Sequence, residues 1–165
     1  VDSSKQRVQL MKNNFTRLKF NPEIINKDIL DWTSTETFKY ILLDAPCSAT
    51  GTIRKHPDLI FLKNKNELGK YIKTQQALLE KALSLLSTQG QLIYCVCSVQ
   101  KNEGIKQVDH ILKKFKNIRR EPIKKSEFTQ FEKYVTKDGD IQTFPYMKKP
   151  GGMDGFFISR LYKEY

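Results

Sequence analysis

Two short apolar runs, each followed by a stretch with helical spacing of apolar residues, organise the middle of this chain. Residues 40–43, Tyr-Ile-Leu-Leu, predict a buried strand of a parallel sheet, and residues 91–97 predict a second strand. A long amphipathic helix is expected over 67–87, ended by Gly90 as a left-handed cap, and another helix begins at Asn102-Glu103. This order of strand, helix, strand and helix indicates an α/β fold with parallel strands.

The N-terminal segment is predicted to be helical and then extended. Apolar residues three or four positions apart indicate an amphipathic helix over 5–18, with Ser3 or Ser4 as its N-cap. Residues 21–28 predict a short strand that ends in an acid, and residues 29–39 predict a loop or a short helix.

The C-terminal part has a different pattern. Residues 132–135 and 141–146 are predicted strands, and the segment 137–140, Lys-Asp-Gly-Asp, is a strong signal for the hairpin turn between them. Residues 155–161 predict one more strand. We therefore expect antiparallel strands to complete an otherwise parallel sheet.

Each of the two central strands is expected to carry a cysteine to its carboxyl end. Cys47 follows the first strand and lies near Asp44, whereas Cys97 closes the second strand a few residues before a helix. If the strands are neighbours, both sulfurs lie in one cleft at the sheet edge where open α/β sheets bind ligands. A cysteine near a helix N-terminus is activated toward its nucleophilic thiolate. The pattern predicts a reactive site of one or two thiols and an acid.

Structural roles are the alternative for these residues, since cysteine is among the most buried residue types. Cys95 has the same side-chain parity as Cys97 and is predicted to be a structural core residue. A zinc site from the three cysteines would lack the usual ligand spacing and a clustered histidine, so we predict no metal. His56 and His110 are assigned to a loop and a helix surface.

Length and apolar content limit the class of protein. The chain has 165 residues, 39% of them hydrophobic, which suits one domain with a single core. No apolar run approaches the roughly 20 residues that a membrane helix needs, and no signal peptide opens the chain. We therefore expect a cytoplasmic location without a membrane partner, in which three cysteines do not form a disulfide framework.

The charge of the chain is strongly basic. It has 29 Lys and Arg against 18 Asp and Glu, a formal net charge of +11, and its basic residues include Arg54 and Lys55 in a turn-like segment over 52–57. A polyanion such as nucleic acid is one natural partner for this charge. A lysine-rich surface that serves only solvation explains the charge equally well.

Three acids are predicted to end strands: Asp2, Asp28 and Asp44. In nucleotide-binding α/β sheets, an acid at such a position accepts hydrogen bonds from ribose hydroxyls, and one at the next strand edge suits an exocyclic amine. Taken singly, each acid is more often a cap or a turn residue. Because Asp2 would end a strand whose other residues lie upstream, we expect the chain to be a fragment.

Five motifs together are similar to a known family. They are DSSKQRV over 2–8, DAPCSATG over 44–51, RKHPD over 54–58, YCVCSV over 94–99 and DGFF over 154–157. They resemble the RNA cytosine-5 methyltransferases of the Sun/Fmu type (RsmB-like) over nearly the whole chain, most weakly over 118–149. The resemblance implies a Rossmann-like, S-adenosylmethionine-dependent methyltransferase fold, truncated at its N-terminus. Residues 1–165 would then be a single, partial catalytic domain.

The same resemblance implies a reaction at C5 of cytosine in RNA, with 16S ribosomal RNA as the expected substrate and tRNA as the alternative. Cys97 would add to C6, which makes C5 nucleophilic enough to take the methyl group, and Cys47 would assist product release. The implied binding residues are Asp2 for the cofactor ribose, Asp28 for its adenine, Asp44 for cytosine and cofactor, and Pro46, Arg54 and Lys55 for RNA.

Two departures from the family's pattern bear on activity. Val96 stands where the family has Thr beside the nucleophile. The family's first strand, its glycine-rich cofactor loop and its upstream RNA-binding region precede the part that this sequence matches. We therefore expect this chain alone to be weak or inactive, with an upstream segment as its missing partner. A remnant that only binds RNA is the alternative; a plain structural domain would require the motifs to be accidental.

Overall fold

The computed structural model describes residues 1–62, 65–127, 131–147 and 152–165. These residues form two compact units, Val1–Glu36 and Thr37–Tyr165. Within the described residues, no helix is both long and apolar enough to span a membrane.

The first unit contains the predicted N-terminal helix, α1 (Lys5–Leu18), with both ends as expected. Ser4 is its N-cap, and the Ser4 hydroxyl accepts a hydrogen bond from the Arg7 N–H at 3.3 Å. The helix ends at Leu18, and its C-cap, Lys19, has a left-handed φ of 57°. The local pattern of apolar residues and the serine cap were sufficient to predict this element.

The strand predicted over 21–28 is wrong. These residues belong to no strand, because they have no ladder partner among the described residues. Their link to the start of the chain consists of an N–H···O bond from Asp2 to Ile25 at 3.0 Å and a bond from the Asn26 amide to the Asp2 carbonyl at 2.8 Å. Asp2 likewise ends no strand, and residues 29–37 form a loop that begins with a turn over 29–31.

The second unit is built on one mixed sheet. Its strands are β1 (Phe38–Asp44), β2 (Leu86–Val96), β3 (Ile118–Arg120), β4 (Ile141–Gln142) and β5 (Phe157–Lys163). The order is β1-β2-β5-β3, and β4 also pairs with β5. β1 and β2 are parallel, whereas every pairing of β5 is antiparallel. The predicted α/β class with antiparallel strands at the C-terminal end is confirmed.

Among the described residues, three α-helices accompany the sheet: α2 (Leu59–Leu62), α3 (Lys65–Leu85) and α4 (Ile105–Lys114). α4 begins slightly later than predicted, after Gly104. The predicted cap at Gly90 is wrong, because β2 begins directly after α3 and the left-handed residue is Gln89, with φ 60°. Gly90 instead permits close packing, since a Cβ there would lie 2.8 Å from the Ser87 carbonyl oxygen.

The core lies between one face of β2 and the helices α3 and α4. Leu92, Tyr94 and Val96 alternate along β2 with their side chains fully buried. Cys95 lies between them on the opposite face and is only half-buried, so its predicted place in the core is wrong.

β1 is not a buried strand, contrary to the prediction. Its alternate residues Tyr40 and Leu42 are 68% and 71% exposed, and β2 is its only ladder partner among the described residues. Ile41 and Leu43 on the other face pack against the core. The run is apolar on both faces, as in a central parallel strand, but only one face is covered here.

The C-terminal turn is present with fewer strand residues than expected. Gly139 has φ 80°, and the Thr136 N–H bonds to the Asp140 carbonyl at 2.7 Å. The strand predicted over 132–135 is wrong, since Glu132–Tyr134 form a 3-10 turn and only Val135 bridges to Ile141. The next predicted strand is reduced to the two residues of β4, whereas the last prediction is confirmed as β5.

Candidate active site

The two strand-end cysteines meet. The sulfurs of Cys47 and Cys97 lie 3.4 Å apart, and both residues are half-buried. Parallel pairing of β1 with β2 brings the two loops to one edge of the sheet, and the Gly51 N–H donates to the Cys97 carbonyl at 3.0 Å. The juxtaposition of sulfurs that the sequence pattern predicted is therefore present in the structure.

The contact between the sulfurs separates the acidities of the two thiols. The hydrogen bond from Cys47 lowers the pKa of Cys97 to about 7, against the opposing effects of burial and the nearby charges of Asp44 and Glu103. The same hydrogen bond, followed by burial, raises the pKa of Cys47 well above its usual range. Near neutral pH, Cys97 is thus readily deprotonated while Cys47 keeps its proton and donates it.

The third cysteine has a different environment. The Cys95 sulfur lies 3.6 Å from the Leu43 carbonyl oxygen and 3.7 Å from Asp44 Oδ1, and its thiol can donate to either. Burial, followed by the negative charge of Asp44, raises the pKa of Cys95 to about 12. Cys95 therefore remains a thiol at neutral pH. The cysteine suited to nucleophilic attack is Cys97.

A buried polar network lies directly behind the cysteines, and sequence reasoning missed it. Ser48 and Ser98, which follow the two cysteines, both donate to the fully buried carboxylate of Glu103 at 2.5 Å. The signal that could have indicated it is the repeated Cys-Ser pair followed by an acid. The sequence pattern places Glu103 only at the start of a helix.

The predicted substrate residues lie on the exposed side of these loops. Pro46 is exposed, and its carbonyl accepts a hydrogen bond from the Gln75 amide at 2.9 Å. Arg54 and Lys55 are exposed and both bind Asp154, at 2.9 Å and 2.6 Å. The hydrogen bond from Lys55 is the main reason that the pKa of Asp154 is lowered.

An open, mainly apolar pocket adjoins this basic pair. Arg54, Lys55 and Asp154 line one part of it, and Tyr134 and Phe156 are among the aromatic residues of its wall. Neither Cys47 nor Cys97 lines it. The pocket therefore lies beside the two cysteines and does not contain them.

The acids of the first unit are held by local hydrogen bonds. Asp2 Oδ1 accepts from the Ser4 N–H at 2.8 Å and from two guanidinium nitrogens of Arg7 at 3.0 and 3.2 Å. Asp28 Oδ1 accepts from the Leu30 N–H at 2.9 Å. Of the three acids expected to end strands, only Asp44 does so; Asp2 lies beside the α1 cap and Asp28 lies in a turn.

Comparison with protein families gives a match over almost the whole chain. The model of the family described as "16S rRNA methyltransferase RsmB/F" matches residues 1–162. The chain belongs to this family. The resemblance drawn from the DAPCSATG and YCVCSV motifs is thereby confirmed.

Curated members of the RsmB/F family align with the chain from end to end. A probable ribosomal RNA small subunit methyltransferase B of Coxiella burnetii is 34% identical over 172 residues, which cover 99% of this chain and 37% of that protein. Ribosomal RNA small subunit methyltransferase B of Photorhabdus laumondii is 30% identical over 166 residues, with 99% and 36% covered. The chain thus spans little more than a third of the length of these relatives.

Solved structures show the same fold. A crystal structure of PH0851 has a TM-score of 0.87 and 26% identity, covering 98% of this chain and 36% of that one. NSun6 from Pyrococcus horikoshii, crystallised with SFG, has a TM-score of 0.79 and 24% identity, covering 99% and 40%. These matches confirm the expected methyltransferase fold class.

Proposed function

We propose that this chain carries the reactive cysteines of an RNA methyltransferase that modifies C5 of cytosine, with 16S ribosomal RNA as its substrate. The observation that carries the proposal is the 3.4 Å contact between the Cys47 and Cys97 sulfurs, with the Cys97 pKa lowered to about 7. Membership of the RsmB/F family supports the choice of ribosomal RNA. Residues 1–165 would form part of the catalytic domain.

S-adenosylmethionine is the proposed cofactor. NSun6, a structural relative, was crystallised with SFG, an analogue of this molecule. The carboxylates of Asp2 and Asp28 fit such a ligand chemically, because ribose hydroxyls and an adenine amine need acceptors and the local hydrogen bonds fix both side chains. When bound, the cofactor would supply an electrophilic methyl group. Calorimetric titration with S-adenosylmethionine tests the roles of these two acids. Asp2→Asn and Asp28→Asn should weaken its binding, whereas Asp31→Asn should not.

In the proposed reaction, the Cys97 thiolate forms a bond from its sulfur to C6 of the cytosine. The electron pair displaced from the C5–C6 double bond makes C5 nucleophilic enough to be methylated. Transfer of the C5 proton to water then restores the double bond and expels the Cys97 sulfur as a thiolate. Covalent attachment thereby divides one difficult step into two easier ones.

Cys47 is suited to assist the release step. Its thiol keeps its proton because its pKa is raised, mainly by the hydrogen bond to Cys97. At 3.4 Å, that thiol can donate to the Cys97 sulfur while the bond to C6 breaks and negative charge returns to the sulfur. This is a reason for the active site to hold two cysteines with different acidities.

The residues around the cysteines would hold the RNA. The target base must leave its stack to reach Cys97, at a cost of a few kcal/mol. The exposed Asp44 carboxylate at the end of β1 can accept a hydrogen bond from the cytosine amino group, and the Pro46 backbone would orient the base. Arg54 and Lys55, two cations against the single carboxylate of Asp154, would contact phosphates.

A methyl-transfer assay with matched cysteine variants tests the proposal. Transfer of labelled methyl groups to 16S ribosomal RNA should be lost in Cys97→Ala and kept in Cys95→Ala. RNA binding should be unchanged in both. If the unaltered chain bound RNA but transferred nothing, and Cys97→Ala behaved identically, the chain would be a remnant that binds RNA without chemistry.

A further inference from the structure

We propose that Glu103 is a positioning residue for the two cysteines, because its carboxylate joins the Cys47-Ser48 and Cys97-Ser98 segments. Joining these segments sets the distance between the two sulfurs. The inference depends on the proposed function only for what the cysteines do, since the contacts of Glu103 are themselves features of the structure.

The Glu103 carboxylate is completely buried and receives two donors on each oxygen. Oε1 accepts from the Ser48 N–H at 2.8 Å and from the Gln75 amide at 3.1 Å. Oε2 accepts from the Ser48 and Ser98 hydroxyls, both at 2.5 Å. Four donors fill the acceptor capacity of an ionised carboxylate, which a buried charge requires.

The surrounding bonds direct the serine protons toward Glu103. The Ser98 hydroxyl oxygen accepts from the Gln100 N–H at 3.1 Å, and the Thr50 hydroxyl lies 3.1 Å from it. The Val99 N–H donates to the Thr50 oxygen at 3.2 Å. With these donors in place, Thr50 donates to Ser98, and the Ser98 proton remains for the carboxylate.

Glu103 itself is firmly held. Its backbone carbonyl accepts from the Tyr94 hydroxyl at 2.5 Å, and its N–H donates to the Gln100 carbonyl at 3.0 Å. Gln75 is held in turn by the Gln107 amide at 3.3 Å, which connects the network to α3 and α4. The carboxylate is therefore held in place, and its hydrogen bonds fix the positions of both Cys-Ser segments.

An amide cannot replace this carboxylate. Glutamine at position 103 would offer one accepting oxygen and one NH₂ group, so one of the two donor pairs would face a donor. The backbone N–H of Ser48 cannot turn away, and the Ser98 hydroxyl oxygen already accepts from Gln100. We expect Glu103→Gln to separate the two Cys-Ser segments and weaken the hydrogen bond between the sulfurs.

The pH dependence of Cys97 alkylation distinguishes positioning from other roles. The hydrogen bond from Cys47 lowers the Cys97 pKa, whereas the charge of Glu103 raises it slightly. Loss of positioning in Glu103→Gln should therefore raise the Cys97 pKa by about one pH unit, the effect of losing one hydrogen bond to a charged group. A purely electrostatic role predicts a lowered pKa.

The experiment measures iodoacetamide alkylation of the full chain between pH 5 and pH 10, with tandem mass spectrometry to locate the modified cysteine. Asp140→Asn is the matched control, because Asp140 is also a fully buried acid but its carboxylate pairs with Arg120 at 3.1 Å. We expect the midpoint of Cys97 alkylation to move to higher pH in Glu103→Gln. The control, Asp140→Asn, should lose thermal stability while its alkylation midpoint stays unchanged.

An alkylation midpoint for Cys97 that is unchanged or at lower pH in folded Glu103→Gln would overturn the proposal. If Glu103→Gln fails to fold, the same measurement on Ser98→Ala tests the proposal. This substitution removes the hydrogen bond between the Cys97-Ser98 segment and Glu103 and leaves the Glu103 charge in place. A Cys97 alkylation midpoint at higher pH in Ser98→Ala supports the proposal, and an unchanged midpoint overturns it. No RNA or cofactor is needed, so the result is independent of the methyl-transfer assay.

Discussion

The sulfur of Cys47 lies 3.4 Å from that of Cys97, although the two residues are fifty positions apart in the chain. The contact makes one thiol a donor and leaves the other available as a thiolate. It exists because β1 and β2 pair in parallel and present their carboxyl ends to the same edge.

The first prediction concerns the pH dependence of Cys97 in Cys47→Ala. In the unaltered chain, the rate of Cys97 alkylation should reach half its maximum near pH 7, because the thiolate predominates above the lowered pKa. Removing the Cys47 donor should move that midpoint upward, toward an ordinary thiol. Timed alkylation with peptide mass spectrometry measures both. A midpoint near pH 9 in the unaltered chain would contradict the account.

The second prediction concerns oxidation. Dilute hydrogen peroxide should convert the Cys97 thiolate to a sulfenic acid, which then condenses with the Cys47 thiol to a disulfide and water. Dithiothreitol should reverse the reaction. Cys95, whose pKa is raised to about 12, should remain unmodified. Peptide mapping under non-reducing conditions identifies the bonded pair, and a bond that included Cys95 would contradict the geometry.

The third prediction concerns the close approach of two glycines. A Cβ on Gly51 would lie 1.9 Å from the Gly155 carbonyl oxygen, and the Gly155 N–H bonds to the Gly51 carbonyl at 2.8 Å. Gly51→Ala should therefore destabilise the chain by about 1–3 kcal/mol. Thermal or urea unfolding measures the change.

Gly69→Ala is the control for that substitution. Gly69 lies in α3 with nothing within 4 Å of its added Cβ, so alanine there should stabilise the chain by about 0.5–1 kcal/mol. Equal effects of the two substitutions would show that the contact between Gly51 and Gly155 is unimportant.

The fourth prediction concerns RNA binding. If Arg54 and Lys55 contact phosphates, Arg54→Gln and Lys55→Gln should each reduce the salt dependence of RNA binding by about 0.7 in log–log slope, the value for one contact to a single strand. Lys113→Gln, at an exposed residue in the last turn of α4, is the control and should leave the slope unchanged. Titrations at several salt concentrations measure the slopes. Unchanged slopes in Arg54→Gln and Lys55→Gln would remove these residues from the RNA contact.

Elements that depend on local signals could be predicted from the sequence. α1 was predicted to the residue, because apolar spacing and a serine cap act within a few positions. The strand expected over 21–28 was wrong because a strand needs a partner, which no local pattern reveals. The apolar run of β1 has the same difficulty: it indicates a strand without showing which faces are covered.

The candidate site shows the same difference between features set by local sequence signals and features set by tertiary contacts. The meeting of Cys47 and Cys97 could be predicted, since parallel neighbours end at one edge of the sheet. Glu103 was missed, because an acid near a helix start is usually a capping residue, and the repeated Cys-Ser pair does not by itself show which loops close over the acid. The cap expected at Gly90 failed for a related reason, since the glycine serves packing against Ser87 and not a left-handed turn.

The most direct test of the account is covalent trapping with RNA that contains 5-azacytidine, whose ring nitrogen at position 5 makes C6 more electrophilic. The account predicts an RNA adduct on Cys97, located by mass spectrometry, that is absent in Cys97→Ala and present in Cys95→Ala. With the cofactor left out, so that the addition stays reversible, it also predicts that the adduct persists longer in Cys47→Ala, because the donor that assists release is gone. An adduct on Cys47 or Cys95, or none on Cys97 in a chain that binds the RNA, would contradict the assignment of Cys97 as the nucleophile.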